Sequence, residues 1–261
     1  RPVDAALMPA ALDARLLTIV TFLPLATGLL LVLLRGMPER ILKVVALAST
    51  TLTFLLSLGL WFGYDATRPG YQFIEYAPWL PSWGVHYFAG IDGMSLLLVM
   101  LTTFLMPLVL IGSWNDPKRQ VKSFVFFNLF LETGMIGAFL ALNVFQFYVF
   151  WEVMLVPMYF IIGIWGGKRR IYATMKFVLF TLAGSLLMFV GILFASGVHA
   201  RTTGILTFNL LEWIPAATTG VWALTGREWV FDQAGYAALL ESRRAEADLM
   251  RAYTGSRSCL D

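Results

Sequence analysis

Apolar residues in this chain recur in continuous runs of about twenty, broken by short polar stretches, and show neither strand-like alternation nor a narrow helical stripe. Six runs stand out: Leu16 to Leu34, Ile41 to Phe62, Met94 to Trp114, Phe124 to Leu142, Phe145 to Trp165 and Ala173 to Ser196. A helix rising 1.5 Å per residue needs about 20 apolar residues to cross the hydrocarbon core of a bilayer, so each run predicts a transmembrane helix. A transmembrane barrel would show alternation over strands of about ten residues instead. The expected fold class is all-α, a polytopic membrane protein of about six transmembrane helices. Residues 1–15 carry charges and Pro9 and read as a polar lead rather than a cleavable signal. The chain opens on Arg1 rather than methionine, so its true start is expected to lie upstream. Beyond Gly197 the pattern changes. Residues 205–225 are weakly apolar and interrupted by Glu212 and Pro215, and residues 226–261 are charged, with an amphipathic pattern from about Ala234 to Tyr253. The expected division is a lead over 1–15, a helical membrane domain over 16–204, and an interfacial or soluble tail over 205–261.

The loops set the orientation. Arg35, Arg40 and Lys43 lie between spans 1 and 2, Lys118, Arg119 and Lys122 between spans 3 and 4, and Lys168, Arg169 and Arg170 between spans 5 and 6. The other side offers Arg68 alone. Positive residues mark cytoplasmic loops, so the odd-numbered loops are cytoplasmic and the N-terminus is outside. The long second loop, Gly63 to Gly93, holds Tyr71, Tyr76, Tyr87, Trp79 and Trp83, together with Pro69, Pro78 and Pro81. Its aromatic content predicts an ordered cap at the outer interface. The turn after Leu142 is so short that spans 4 and 5 must be antiparallel neighbours.

Composition agrees with this picture: 59% of residues are hydrophobic and 13% charged, with a mean hydropathy of +0.74, where soluble domains carry about 25% charged residues. The net charge of +3 comes from residues in short loops, which set orientation rather than bind nucleic acid. A single cysteine, Cys259, excludes an internal disulfide or a cysteine-ligated cluster. His86 and His199 stand alone and read as loop or interfacial residues. No haem, flavin or nicotinamide pattern is present, so no cofactor and no redox chemistry are expected in this chain.

Besides Lys43 at the edge of span 2, three charged residues fall inside the spans. Glu152 is near the middle of span 5, where an ionised carboxylate is disfavoured by about 2.5 to 3.5 kcal/mol, which makes it a functional candidate. Tyr148 and Tyr159 share its helical stripe, and Pro157 frees the carbonyl of Val153 one turn away, which invites a kink or a water. Glu132 lies mid-span in span 4 with Asn128 on its stripe, while Gly134, Gly137, Ala138 and Ala141 form a small-residue stripe opposite. From helical rise, Glu132 and Glu152 lie about 12 and 20 Å from the cytoplasmic ends of their spans. A water-bridged carboxylate relay and a neutral, hydrogen-bonded structural acid are both open for Glu132. Lys176, one turn into span 6, reads on its own as a lysine snorkelling to the cytoplasmic headgroups. Thr181, Gly184, Ser185 and Met188 follow it as a small, hydroxylated face suited to close packing.

The string FYVFWEVMLVPMYFIIGIWGGKRRIYATMKFVLFTLAGSLLM, Phe147 to Met188, resembles the chain M (mitochondrial chain 4) family of the proton-pumping NADH-quinone oxidoreductase, respiratory complex I. GIDGMSLLLVMLTTFLMPLVLIGSW, Gly90 to Trp114, is similar to the same family's third helix, and TFNLLEW, Thr207 to Trp213, retains its character. The resemblance covers about residues 15–213 and implies an antiporter-like helical bundle in a bacterial inner membrane. It implies proton transfer by Glu152 of the FWE motif, with Lys176 of ATMKF in the same hydrophilic region. Other membrane subunits are implied as partners, and flavin, iron–sulfur clusters and quinone are expected in them rather than here. The family's broken seventh helix with its KMP or KVP lysine, its WLPDAH segment and its second inverted half are not found after Trp213. The expectation is therefore a truncated or frameshifted copy that does not pump by itself. The alternatives are a subunit of a multi-subunit cation/proton antiporter or membrane-bound hydrogenase, or a structural or assembly subunit that transports nothing.

Overall fold

A computed structural model describes residues 15–34, 36–67, 70–80, 85–115, 119–203, 206–211 and 213. Six of its helices are long and apolar enough to cross a membrane. They are α1 (Leu16–Leu33), α2 (Glu39–Gly63), α3 (Gly93–Gly112), α4 (Val121–Leu140), α5 (Val144–Trp165) and α6 (Arg170–Thr203). Each of the six apolar runs becomes one helix. α6 continues several residues past Ser196, because neither Gly197 nor His199 breaks it. The chain divides into two compact units, Arg1–Ile214 and Pro215–Asp261. The second unit, with the amphipathic pattern over 234–253, lies outside the described residues, as does the lead over 1–14.

α4 is the hub. Its buried positions occur all round the helix, from Val125 and Leu129 to Gly134, Gly137 and Leu140, and it packs against α1, α2, α3 and α5. Apolar contacts form two clusters around it. One lies toward the cytoplasm and joins Leu31, Leu42, Ala46, Leu110, Val125 and Leu129. The other lies toward the outside and joins Leu17, Val20, Leu60, Val99, Ile136 and Leu140. By contrast α5 and α6 leave most of their surfaces uncovered, with Trp151, Val156, Leu179, Phe180, Leu187 and Phe194 exposed.

The expected outer cap is an antiparallel hairpin of β1 (Gln72–Leu80) and β2 (Val85–Ile91), the one sheet among the described residues, which are otherwise mainly helical. Backbone polar groups at the bundle's outer end need partners, and the hairpin supplies them. Leu142 N–H donates to Phe88 O at 2.8 Å, and Phe88 N–H donates to Gln146 Oε1 at 2.7 Å. Residues 207–210, which the sequence assigns to the tail, return to the same place. Val144 N–H donates to Phe208 O, and Leu210 N–H donates to Leu142 O. The α4–α5 turn is thereby held from both sides.

Helix ends are closed locally in two cases and from a distance in others. At the start of α3, Asp92 and Ser95 form a capping box, and Asn143 Oδ1 accepts from Phe145 and Gln146 at the start of α5. α1 has Arg15 at its N-cap and no local side-chain cap. Its first amides instead donate to Glu75 of β1: Leu17 N to Oε1 at 2.7 Å and Thr18 N to Oε2 at 3.0 Å. Thr18 Oγ1 also bonds Glu75 Oε2 and lies 3.0 Å from the Tyr87 hydroxyl. Glu75 is 8% exposed and is the one buried side chain of β1, turned inward by the bulge between Gln72 and Glu75. At the cytoplasmic end, Lys122 Nζ donates to Val32 O and Leu34 O at the end of α1. Lys43 Nζ donates to Trp114 O just beyond α3. These lysines therefore close helix C-termini, where a cation is favoured, besides setting orientation.

Glu75→Ala is expected to lower stability by roughly 1 to 3 kcal/mol through loss of charge-assisted bonds to the α1 terminus, measured by thermal unfolding in detergent, with Glu75→Gln losing less. Burial raises the pKa of Tyr87 from its ordinary 10.0, and the Glu75 charge adds to this against the opposing Thr18 hydrogen bond. A raised folded-state pKa stabilises below the unfolded value and is lost as pH rises through the folded one. Stability should therefore fall as pH climbs above 10.0, and Tyr87→Phe should remove that part of the alkaline loss.

Candidate functional site

α5 is fixed by packing contacts on two sides, against α4 and against α6. Against α4, a Cβ at Gly134 would stand 2.5 Å from Met154 Cγ, and one at Gly137 would enter the Phe150 ring. These glycines are therefore where the helices approach most closely. Further along, the Phe127 and Phe160 rings stack at 4.7 Å. Against α6, Tyr148 stacks on Phe189 at 4.8 Å, and Gly163 abuts Thr174. Pro157 is buried within α5, which runs unbroken past it.

Helical geometry then decides where Glu152 points. It lies two residues from both Phe150 and Met154, about 200° round the helix from either, so it faces away from α4. There it meets α6. The Tyr148 hydroxyl interacts with Glu152 on its own helix and with Ser185 on α6. Ser185 is buried, and Glu152 Oε1 is buried without a protein hydrogen-bond partner. An acid beside a tyrosine hydroxyl that in turn reaches a buried serine, with lone pairs to spare, can hold and pass a proton. Tyr159, one further member of the stripe, is exposed and packs on Phe160. Ser185 is the member that sequence reasoning placed only on a packing face. Its role depends on the α5–α6 register, which no single-helix periodicity reveals.

Glu132 occupies the opposite situation. It is 0% exposed, and neither carboxylate oxygen has a protein hydrogen-bond partner. Asn128, on the same stripe, donates to Phe124 O of its own helix instead. Since Gly134 and Gly137 face α5, Glu132 faces the α1–α3 side. The two acids stand back to back, with the bodies of α4 and α5 between them. A direct water-bridged relay from Glu132 to Glu152 does not fit this arrangement.

Lys176 is also apart from Glu152. The Tyr148–Phe189 and Gly163–Thr174 contacts put Ser185 level with Glu152 and Lys176 level with Ile161. Nine residues of α6 separate those levels, about 13 Å along the helix. Buried Thr174 faces α5, whereas Lys176 is exposed, its ammonium 6.0 Å from the Tyr172 and Phe180 ring centres. These are the contacts of a cation on the outer face of the helix.

Comparison with known proteins adds the context. Residues 19–138 match the family described as NADH-ubiquinone oxidoreductase chain 4, amino terminus. Residues 141–226 match NADH:quinone oxidoreductase/Mrp antiporter, TM, so the similarity extends beyond Trp213. The chain is 48% identical over 217 residues to NADH-quinone oxidoreductase subunit M of Rhodobacter capsulatus, covering 81% of this chain and 42% of that protein. It is 40% identical over 184 residues to subunit M of Escherichia coli K12, covering 66% and 36% respectively. The chain thus spans about two-fifths of the length of these relatives. Among solved structures it resembles a chain of respiratory complex I from Thermus thermophilus with bound NADH, at a TM-score of 0.62 and 30% identity over 76% of this chain and 39% of that one. It shares its fold with a chain of the Mrp complex from Dietzia sp., at a TM-score of 0.60 and 20% identity over 76% of this chain and 20% of that one.

Gly137→Leu is expected to force α4 and α5 apart, at a cost of roughly 1 to 3 kcal/mol, and to lower the unfolding midpoint in detergent. Gly184, which faces open space on α6, should accept alanine without such a loss.

Proposed function

Because the chain belongs to the antiporter-like membrane-subunit family of NADH:quinone oxidoreductase, we propose that it is a proton-translocating part of that complex, driven by quinone reduction in other subunits. It is a multi-pass protein of the bacterial inner membrane, with six membrane-crossing helices among its described residues. The observation that carries the reading is the Tyr148, Glu152 and Ser185 cluster between α5 and α6. It lies on the helix pair whose surfaces are least covered within the chain, so further membrane subunits or segments can reach it. Flavin, iron–sulfur and quinone chemistry belongs to partner subunits in this reading, and this chain's side chains only hold and move protons.

In the proposed step, Glu152 takes up a proton when no cation is near and gives it up when one approaches. Tyr148 orients the carboxyl, and Ser185, beside the Tyr148 hydroxyl, offers the next oxygen along the path. Lys176 is too far along α6 to form an ion pair with Glu152 in this conformation. Two unit charges about 13 Å apart interact by only about 1 kcal/mol at an effective dielectric constant near 20. Lys176 therefore acts on Glu152 through intervening groups or after a movement of α6. Moving one charge through 100 mV corresponds to about 2.3 kcal/mol, so that interaction alone would not drive the pump.

A cation/proton antiporter subunit is the second reading, favoured by the shared fold with the Mrp chain. The 48% identity to subunit M favours the respiratory complex. In assembled complex within sealed vesicles, Glu152→Gln should abolish proton translocation coupled to NADH oxidation. Tyr148→Phe, which keeps the Phe189 stack, should slow it by about tenfold or more. Unchanged pumping in Glu152→Gln would mean that the chain is structural.

A further inference from the structure

Between the two apolar clusters that surround α4 lies a layer of different chemistry. The outer cluster ends near Val20, Leu60, Val99 and Ile136, and the cytoplasmic one begins near Leu31, Ala46, Leu110 and Leu129. Polar side chains predominate among the buried residues between these limits, among them Thr21 on α1, Thr50, Thr53 and Ser57 on α2, Thr103 on α3, and Glu132 and Thr133 on α4, with Pro24 and Met106 among the apolar ones. Two bonds tie the helices pairwise within this depth, α1 to α4 and α2 to α3. Leu25 N donates to Thr133 Oγ1 at 3.1 Å, just beyond the break that Pro24 makes in the α1 ladder. Ser57 and Thr103 hydroxyls meet at 2.8 Å across α2 and α3.

Most hydroxyl protons of this layer are committed within the protein. Thr21 donates to Leu17 O and Thr53 to Ser49 O, and the two protons of Ser57 and Thr103 are shared among Phe54 O, Val99 O and the contact between the two hydroxyls. What these side chains turn toward the interior is oxygen lone pairs. Glu132 adds two carboxyl oxygens with no protein partner. A layer of acceptors lacks donors, and buried polar groups in proteins do find partners. A neutral Glu132 could give one hydroxyl proton to a threonine, which still leaves its carbonyl oxygen without a donor. Water, with two donors and two acceptors, meets the shortage. The other charged side chains of these helices sit at their ends, Lys43 and Lys122 toward the cytoplasm and Asp92 outside, and Glu152 faces away.

We infer that the mid-depth layer of α1 to α4 is a water-binding, protonatable site centred on Glu132, lined by threonine and serine oxygens and separate from the Glu152 cluster. Apolar clusters above and below enclose it, so its protons reach water only when the bundle opens slightly.

Infrared spectroscopy of the full chain in nanodiscs tests this. Expected is a carbonyl band of a protonated carboxylic acid that is lost in Glu132→Gln, shifts on transfer to D2O, and moves to higher frequency in the near-isosteric Thr53→Val and Thr103→Val variants as hydrogen bonds are removed. A band that never exchanges in D2O would make Glu132 a dry structural acid, and a band unmoved by both threonine variants would remove the hydroxyl lining; either result overturns the inference. Disappearance of the band when sodium chloride replaces potassium chloride at equal strength would assign the layer to a cation instead and would also overturn it. Should Glu132→Gln fail to fold, the threonine variants and the exchange measurement decide the question without it.

Discussion

Gly134 and Gly137 let α4 lie directly on the Met154 and Phe150 side chains of α5, and this contact decides which way both membrane acids point. A helix presents a given side chain to one neighbour only. With the glycine face of α4 spent on α5, Glu132 faces the α1–α3 side; with the Phe150 face of α5 spent on α4, Glu152 is left to α6. One packing choice thus separates two carboxyls that lie on adjacent helices joined by a turn of a few residues. It also sorts the molecule into a well-packed group, α1 to α4, and a pair, α5 and α6, whose outward surfaces are largely exposed within this chain.

Hydrocarbon offers no water to backbone groups, so the bundle's ends are as constrained as its middle. The chain meets that constraint with long-range partners. Glu75 closes the start of α1 from a strand more than fifty residues away, Lys122 closes its end, and β2 with residues 207–210 holds the α4–α5 turn. These ties fix the depth of α1 and α4 relative to each other. That depth sets Thr133 beside Leu25 of α1, with Glu132 next to it in level.

Span number and pairing were legible in the sequence because both follow from local quantities: the length of an apolar run and the shortness of a turn. Loop charge parity likewise gave an orientation with no structural input. Glu152 and Glu132 stood out because an acid in an apolar run is conspicuous. What the sequence concealed depends on register between helices. Ser185 looks like a packing residue until the Tyr148–Phe189 stack sets it level with Glu152. Lys176 shares a motif with its neighbours but lies on a different face and about 13 Å away in level. Nothing local marks Glu75, or shows that α1 lacks a cap of its own and borrows this one. Nothing local marks the threonines of α2 and α3 as buried. Only assembly shows that they coincide with Glu132.

The back-to-back placement of the two acids can be tested directly by disulfide trapping in a Cys259→Ser background. A Cβ at Gly134 would lie 3.6 Å from the Met154 Cβ, within the span a disulfide bridges. The Gly134→Cys/Met154→Cys pair should therefore cross-link readily on mild oxidation, while Glu132→Cys/Glu152→Cys should remain reduced. Ready cross-linking of the 132/152 pair, with none at 134/154, would contradict the account and restore a direct path between the acids.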